Sequence, residues 1–142
     1  MGLIHLIYAS TRDIHFSEAD MLGLMPPIRQ KNSTKHITGI LLHIDKNFIQ
    51  VLEGEESEVH DLFARIKKDK RHHHVTTIID EPIFERNFFE WSMGFVSLTE
   101  QQVVAIPGMN DYFTGTQLLD SLSPGRVKKI LKAFSNGAWQ NL

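Results

Sequence analysis

Between Phe48 and Gly54 the chain reads Phe-Ile-Gln-Val-Leu-Glu-Gly, an apolar run of strand length with an amide, Gln50, at its centre. Strand side chains alternate between faces, so Phe48, Gln50 and Leu52 are expected to point into one core. A buried amide left without partners costs about 1–3 kcal/mol, so the interior must supply a hydrogen-bond partner. Leu3 to Ala9 offers a candidate, because it reads as a second strand with Ile4, Leu6 and Tyr8 on one face. Any fold that accepts both segments has to account for an amide and a phenol among large apolar neighbours.

The remaining segments alternate in type. Ser17 has the position of a helix N-cap, with Asp20 completing a capping box and Phe16 and Met21 spaced as a hydrophobic staple. Met21, Leu24, Met25 and Ile28 follow at helical spacing, and Pro26-Pro27 is expected to end or kink that helix. Ile37–Ile44 and Phe48–Leu52 flank Asp45-Lys46-Asn47 as a hairpin. Glu55, Glu56 and Glu58 open a second helix with Val59, Leu62, Phe63 and Ile66 on its apolar stripe and lysines at its end, a charge order that complements the helix dipole. Val75–Ile79 and Ser92–Leu98 read as further strands. The order βαββαββ predicts an α+β, ferredoxin-like domain over residues 1–98, with two helices on one face of a mixed sheet. Residues 99–142 are expected to form a helical extension for output or oligomerisation, with helical stretches at Thr116–Leu122 and Val127–Phe134.

Composition removes several function classes. At 142 residues the chain has the size of one domain, and a net charge of -2 gives no electrostatic case for nucleic acid. No apolar run reaches the roughly 20 residues that span a bilayer, and the N-terminus has no secretion-signal pattern, so a cytoplasmic, membrane-free protein is expected. With no cysteine there is neither a disulfide scaffold nor thiol chemistry. The His72-His73-His74 triple fans out on a strand or a helix alike and does not converge on a metal; a solvated loop is the expectation there, and no metal site is assigned. H-E-x-x-H, G-x-S-x-G and P-loop patterns are absent, and no carboxylate pair stands out for acid–base catalysis. An enzyme is not expected.

Tyr8 and Gln50 each have an ordinary structural reading, as a core aromatic and as an inter-strand tie. Together they also offer a phenol and an amide in one apolar setting, able to hydrogen-bond each other and a polar heterocycle above the sheet. The residues alone leave both readings open.

A wider set of blocks narrows them. Leu6-x-Tyr8-x-Ser10, Asn32-x4-Ile37-Thr38-Gly39-x-Leu41, Phe48-x-Gln50-x-Leu52-Glu53-Gly54, Asp69-x-Arg71-His72 and Trp91-Ser92-Met93-Gly94 occur in this order. Over about residues 1–100 the chain resembles the BLUF family of blue-light sensors. The resemblance implies a non-covalently bound FAD held between the two helices, with Tyr8 photoactive and Gln50 the switching amide. It also implies that Asn32 binds the flavin's pyrimidine edge and that Trp91 and Met93 carry the signal. Arg65 and Asp69, one helical turn apart, match polar positions near the ring and its phosphate tail, and Leu24 and Ile66 match apolar walls for the ring. Lys31, where relatives often carry His or Asn, is expected to project into water.

By the same resemblance, light drives electron and proton transfer from Tyr8, and the hydrogen bonds of Gln50 rearrange into a signalling state. That state is expected to act through protein–protein contacts, with a homo-oligomer and a downstream protein as partners. The alternatives are a light-insensitive flavin- or nucleotide-binding regulatory module, and an acylphosphatase-like enzyme. The second needs an anion cradle that the loop Ser10–His15 lacks.

Overall fold

The computed structural model describes residues 2–44, 46–89 and 92–99. The elements run β1 (Leu3–Arg12), α1 (Glu18–Thr34), β2 (Thr38–Ile44), β3 (Asn47–Glu55), α2 (Glu56–Lys67), β4 (His72–Pro82) and β5 (Gly94–Leu98). They form one sheet of order β4-β1-β3-β2-β5. All neighbouring pairs are antiparallel except β2 and β5, which are parallel. The α+β, ferredoxin-like expectation holds for this part of the chain. The helical stretches expected beyond residue 99 lie outside the described residues.

Alternation divides the sheet's side chains as the sequence implied. Ile4, Leu6, Tyr8, Leu41, Phe48 and Leu52 form one core with Met21 and Met25 of α1 and Val59 and Phe63 of α2. The opposite face is buried too, through Ile7, Ile40, Leu42, Ile49 and Val51. A sheet dry on both sides explains why these strands read as nearly continuous apolar runs.

Three of the boundaries that differ from the sequence expectation bear on the site. First, α1 does not end at the proline pair but continues through Pro26 and Pro27 to Thr34. Each proline forfeits a bond to the carbonyl four residues earlier, at Leu22 and Gly23. Leu22, Gly23, Pro26 and Pro27 are all exposed, so water is at hand for the released carbonyls. The capping box of Ser17 and Asp20 closes the start of α1, with both reciprocal bonds present.

Second, β4 begins at His72, well before Val75, and its pairing with β1 shifts register between Ile7 and Tyr8 and again between Ala9 and Thr11. Such irregularities break the alternation from which strand ends are read. Third, β5 begins at Gly94, so Ser92 and Met93 precede the ladder.

Gly39 sets the spacing at this end of the sheet. A Cβ there would lie 1.9 Å from the Val51 carbonyl oxygen and 3.5 Å from the Met93 methyl. Only a residue without a side chain allows β2 that approach.

Candidate functional site

Tyr8 and Gln50 face each other directly in the β1–β3 register, and Leu41 faces Gln50 from β2. The Tyr8 hydroxyl donates to Gln50 Oε1. Gln50 Nε2 in turn points at the Met93 sulfur, 3.4 Å away. The amide is therefore oriented at both ends, its oxygen by a strong donor and its nitrogen by a weak acceptor. All three residues are buried.

Above this row α1 and α2 leave a cavity of about 330 Å³. Tyr8, Phe48 and Gln50 line it from the sheet, Leu24, Ile28 and Asn32 from α1, and Leu62, Arg65 and Ile66 from α2. Asp69 and His72 complete it from the segment after α2. Every residue assigned to the cofactor from the sequence, namely Tyr8, Leu24, Asn32, Gln50, Arg65, Ile66 and Asp69, lines this one cavity. Lys31 lines it as well while being exposed, which places its stem at the mouth. Met93 does not line the cavity and meets Gln50 through its sulfur. Trp91 lies outside the described residues.

Two side chains of α1 reach the segment leading into β5. Asn32 Nδ2 donates to the Ser92 carbonyl at 2.9 Å, and Arg29 Nε donates to the Met93 carbonyl at 2.8 Å. With Nδ2 tied to Ser92, Oδ1 is the end of the Asn32 amide that remains to accept a donor. Arg65 and Asp69, matched as polar positions one helical turn apart, do not share a helix. Because α2 stops at Lys67, Asp69 lies beyond the helix and accepts from the Arg71 backbone N–H at 3.0 Å, with Arg71 Nε 3.5 Å away.

The sequence reading missed His72. Expected in a solvated loop, it is buried at the first position of β4, while His73 and His74 are exposed. Its Nε2–H donates to the Ile66 carbonyl at 2.7 Å. Its Nδ1 hydrogen-bonds the Ser10 hydroxyl, also at 2.7 Å. The carbonyl can only accept, so the ring carries a hydrogen on Nε2. The ring stands edge-on to Tyr8, with centroids 6.0 Å apart, and Phe63 closes the tyrosine's other side at 5.3 Å. Strand alternation alone would have grouped His72 with His74, so it does not single out His72 as interior.

Burial, and secondarily the Asp69 carboxylate, holds the Tyr8 phenol well above the ordinary tyrosine range. Tyr8 therefore stays protonated at any physiological pH.

The cavity's donor set suits a flavin. A flavin's pyrimidine edge presents an N–H between two carbonyls, and Asn32 Oδ1 and Gln50 Nε2 offer an acceptor and a donor for it. Leu24, Ile28, Leu62 and Ile66 supply apolar walls for a flat ring, and Lys31, Lys35, Arg65 and Arg71 bring cations to the lining. The volume lies at the lower end of the roughly 300–1,000 Å³ of small-molecule sites, enough for the ring with its tail emerging.

Comparison with known proteins gives the same picture. A family model described as "Sensors of blue-light using FAD" (BLUF) matches residues 3–94. Among solved structures, BlrB, titled a BLUF protein in its dark state, is 31% identical with a TM-score of 0.80, covering 95% of this chain and 96% of that one. The ground state of BlsA is 27% identical with a TM-score of 0.82, covering 94% and 87%. A photoactivated adenylate cyclase subunit beta from Euglena gracilis is 32% identical over 94% of this chain. The chain spans only 16% of that relative's length.

Proposed function

The chain belongs to the BLUF family of flavin-binding, blue-light-sensing signalling modules, and on that premise we propose that Tyr8 and Gln50 convert absorbed light into a rearranged hydrogen-bond network. The observation that carries this reading is the bond from the Tyr8 hydroxyl to Gln50 Oε1 beside the cavity. FAD is the proposed flavin, and the lining cations Arg65, Arg71, Lys31 and Lys35 would meet its phosphates. When bound, the flavin supplies light absorption and, once excited, a strong one-electron oxidant.

Tyr8 gives up an electron and then its hydroxyl proton, and regains both as charge returns. Gln50 accepts from that hydroxyl, so it is the group through which the proton leaves. As Tyr8 recovers, Gln50 rotates or tautomerises, and its donor and acceptor ends exchange places with little movement of heavy atoms. In a dry pocket such an exchange is energetic enough to bias the strands around it. Gln50 Nε2 then turns from the Met93 sulfur, and the segment leading into β5 feels the change. Electrons and protons balance, so no substrate is turned over, and the chain acts as a sensor and not an enzyme.

Met93, with Trp91 two residues before it in sequence, is proposed to carry the signal onward. Residues 99–142 are the proposed output surface, acting on a second copy of the chain or on a downstream protein in the cytoplasm. The match to a small part of a relative named a photoactivated adenylate cyclase subunit supports output to a separate effector.

Purification tests this directly. The protein should be yellow, release FAD and not FMN on denaturation, and show a reversible red shift of flavin absorbance after blue light. A flavin-loaded protein with no spectral change would favour the light-insensitive regulatory module, and a colourless protein that refuses flavin would refute the sensor and leave only the nucleotide-binding form of that module.

A further inference from the structure

Ser92 and Met93 occupy an unusual place in the sheet. The ladder of β5 with β2 starts at the pair Ile40–Gly94, and among the described residues β5 is an edge strand with no second neighbour. The two residues before Gly94 thus enter the site without ladder bonds to β2. Their carbonyls are satisfied from α1 instead, by Asn32 at Ser92 and by Arg29 at Met93. The Met93 side chain is located separately, with its sulfur at Gln50 Nε2 and its methyl against the space that Gly39 leaves open.

The three groups that grip this segment differ in their relation to the cavity. Asn32 and Gln50 line it, whereas Arg29 does not. Arg29 is exposed on the helix surface, and its Nε reaches inward to a part-buried carbonyl. A guanidinium–carbonyl bond is charge-assisted and fixed in direction by the planar group. The Met93 backbone is therefore set by a residue that a ligand in the cavity need not touch.

We propose that Arg29 is a positioning residue for the light signal, holding the Met93 carbonyl so that the sulfur stays in register with Gln50 Nε2. The inference rests on the photosensor reading above. A clamp of this kind favours the Tyr8–Gln50–Met93 arrangement seen here over one in which Gln50 has turned away. It speeds the return to that arrangement after light, and its loss prolongs the signalling state.

The test compares Arg29→Ala, Arg29→Lys, Met93→Ala and the Arg29→Ala/Met93→Ala double variant, each loaded with FAD. Arg29→Ala should bind flavin normally with an unchanged dark absorbance maximum, and should slow thermal recovery by about fivefold, the worth of one such bond at a half-exposed site. Arg29→Lys, which keeps a cationic donor, should restore much of the wild-type rate. In the Met93→Ala background the effect of Arg29→Ala should shrink to less than about twofold, because the sulfur it positions is gone. Unchanged recovery in Arg29→Ala, or an undiminished effect in the Met93→Ala background, would overturn the proposal.

Hydrogen exchange in the dark supplies a readout that needs no photochemistry. The peptide spanning residues 92–98 should exchange faster in Arg29→Ala than in wild type. Equal protection would refute the clamp even if the wild-type protein shows no light response, a result that would count against the sensor reading alone.

Discussion

Glu53 presents the most demanding stability test. It lies three residues beyond Gln50 on β3, faces the opposite side of the sheet, and is fully buried. Its Oε1 accepts from the Thr38 hydroxyl at 3.0 Å and from the Phe88 N–H at 3.0 Å, and its Oε2 accepts from the Asn87 N–H at 2.7 Å. Arg86 binds the Thr38 hydroxyl oxygen at 2.8 Å and the Glu53 backbone carbonyl at 3.1 Å. One carboxylate therefore pins the connection between β4 and β5 to the sheet. Glu53→Gln retains one oxygen and sets an NH2 against at least one of those donors, at a cost of about 1–3 kcal/mol. Glu53→Ala removes all three acceptor bonds and leaves a void, for about 3–5 kcal/mol. Urea unfolding by far-ultraviolet circular dichroism resolves both, and a domain of this size loses about 4–8 °C in Tm for each kcal/mol. A Glu53→Gln midpoint within about 0.5 kcal/mol of wild type would refute the pinning role, since ordinary surface changes stay inside that range.

Two further predictions concern the site itself. Gly39→Ala should destabilise the domain by about 1–3 kcal/mol or more, because its Cβ meets the Val51 carbonyl and not a yielding side chain, and it should displace Met93; near wild-type stability in urea would contradict that contact. Tyr8 bears on alkaline stability, since its pKa is raised by burial and by Asp69. Its stabilising contribution is complete below the unfolded value near about pH 10 and is lost as pH climbs from there through the higher folded-state value. Tyr8→Phe should flatten the fall in unfolding free energy above about pH 10, and an unchanged slope would argue against a buried, protonated Tyr8.

Much of this architecture was legible in the chain because both periodicities are strong. Alternation assigned Tyr8 and Gln50 to the helix-covered face, and the 3.6-residue stripe of Val59, Leu62, Phe63 and Ile66 announced α2. The failures share a cause, which is that local pattern does not record what lies across from a residue. Pro26 and Pro27 look like a helix stop until their exposed side is known, where water can serve the freed carbonyls. His72 reads as one of three solvated histidines, and only the approach of Ser10 and Ile66 makes it interior. Glu53 shares a face with Ile49 and Val51, and nothing in the strand names its partners, the Thr38 hydroxyl and two backbone N–H groups of a distant loop. Arg29 has no sequence signature at all, because a carbonyl acceptor leaves none.

The central claim is that Gln50 carries the light signal, and illumination of the Gln50→Leu variant tests it most directly. Leucine has similar volume and no hydrogen-bonding group, so the variant should fold and bind flavin. Its absorbance spectrum after blue light should show none of the wild-type red shift. A reversible shift of wild-type size in flavin-loaded Gln50→Leu would contradict the account.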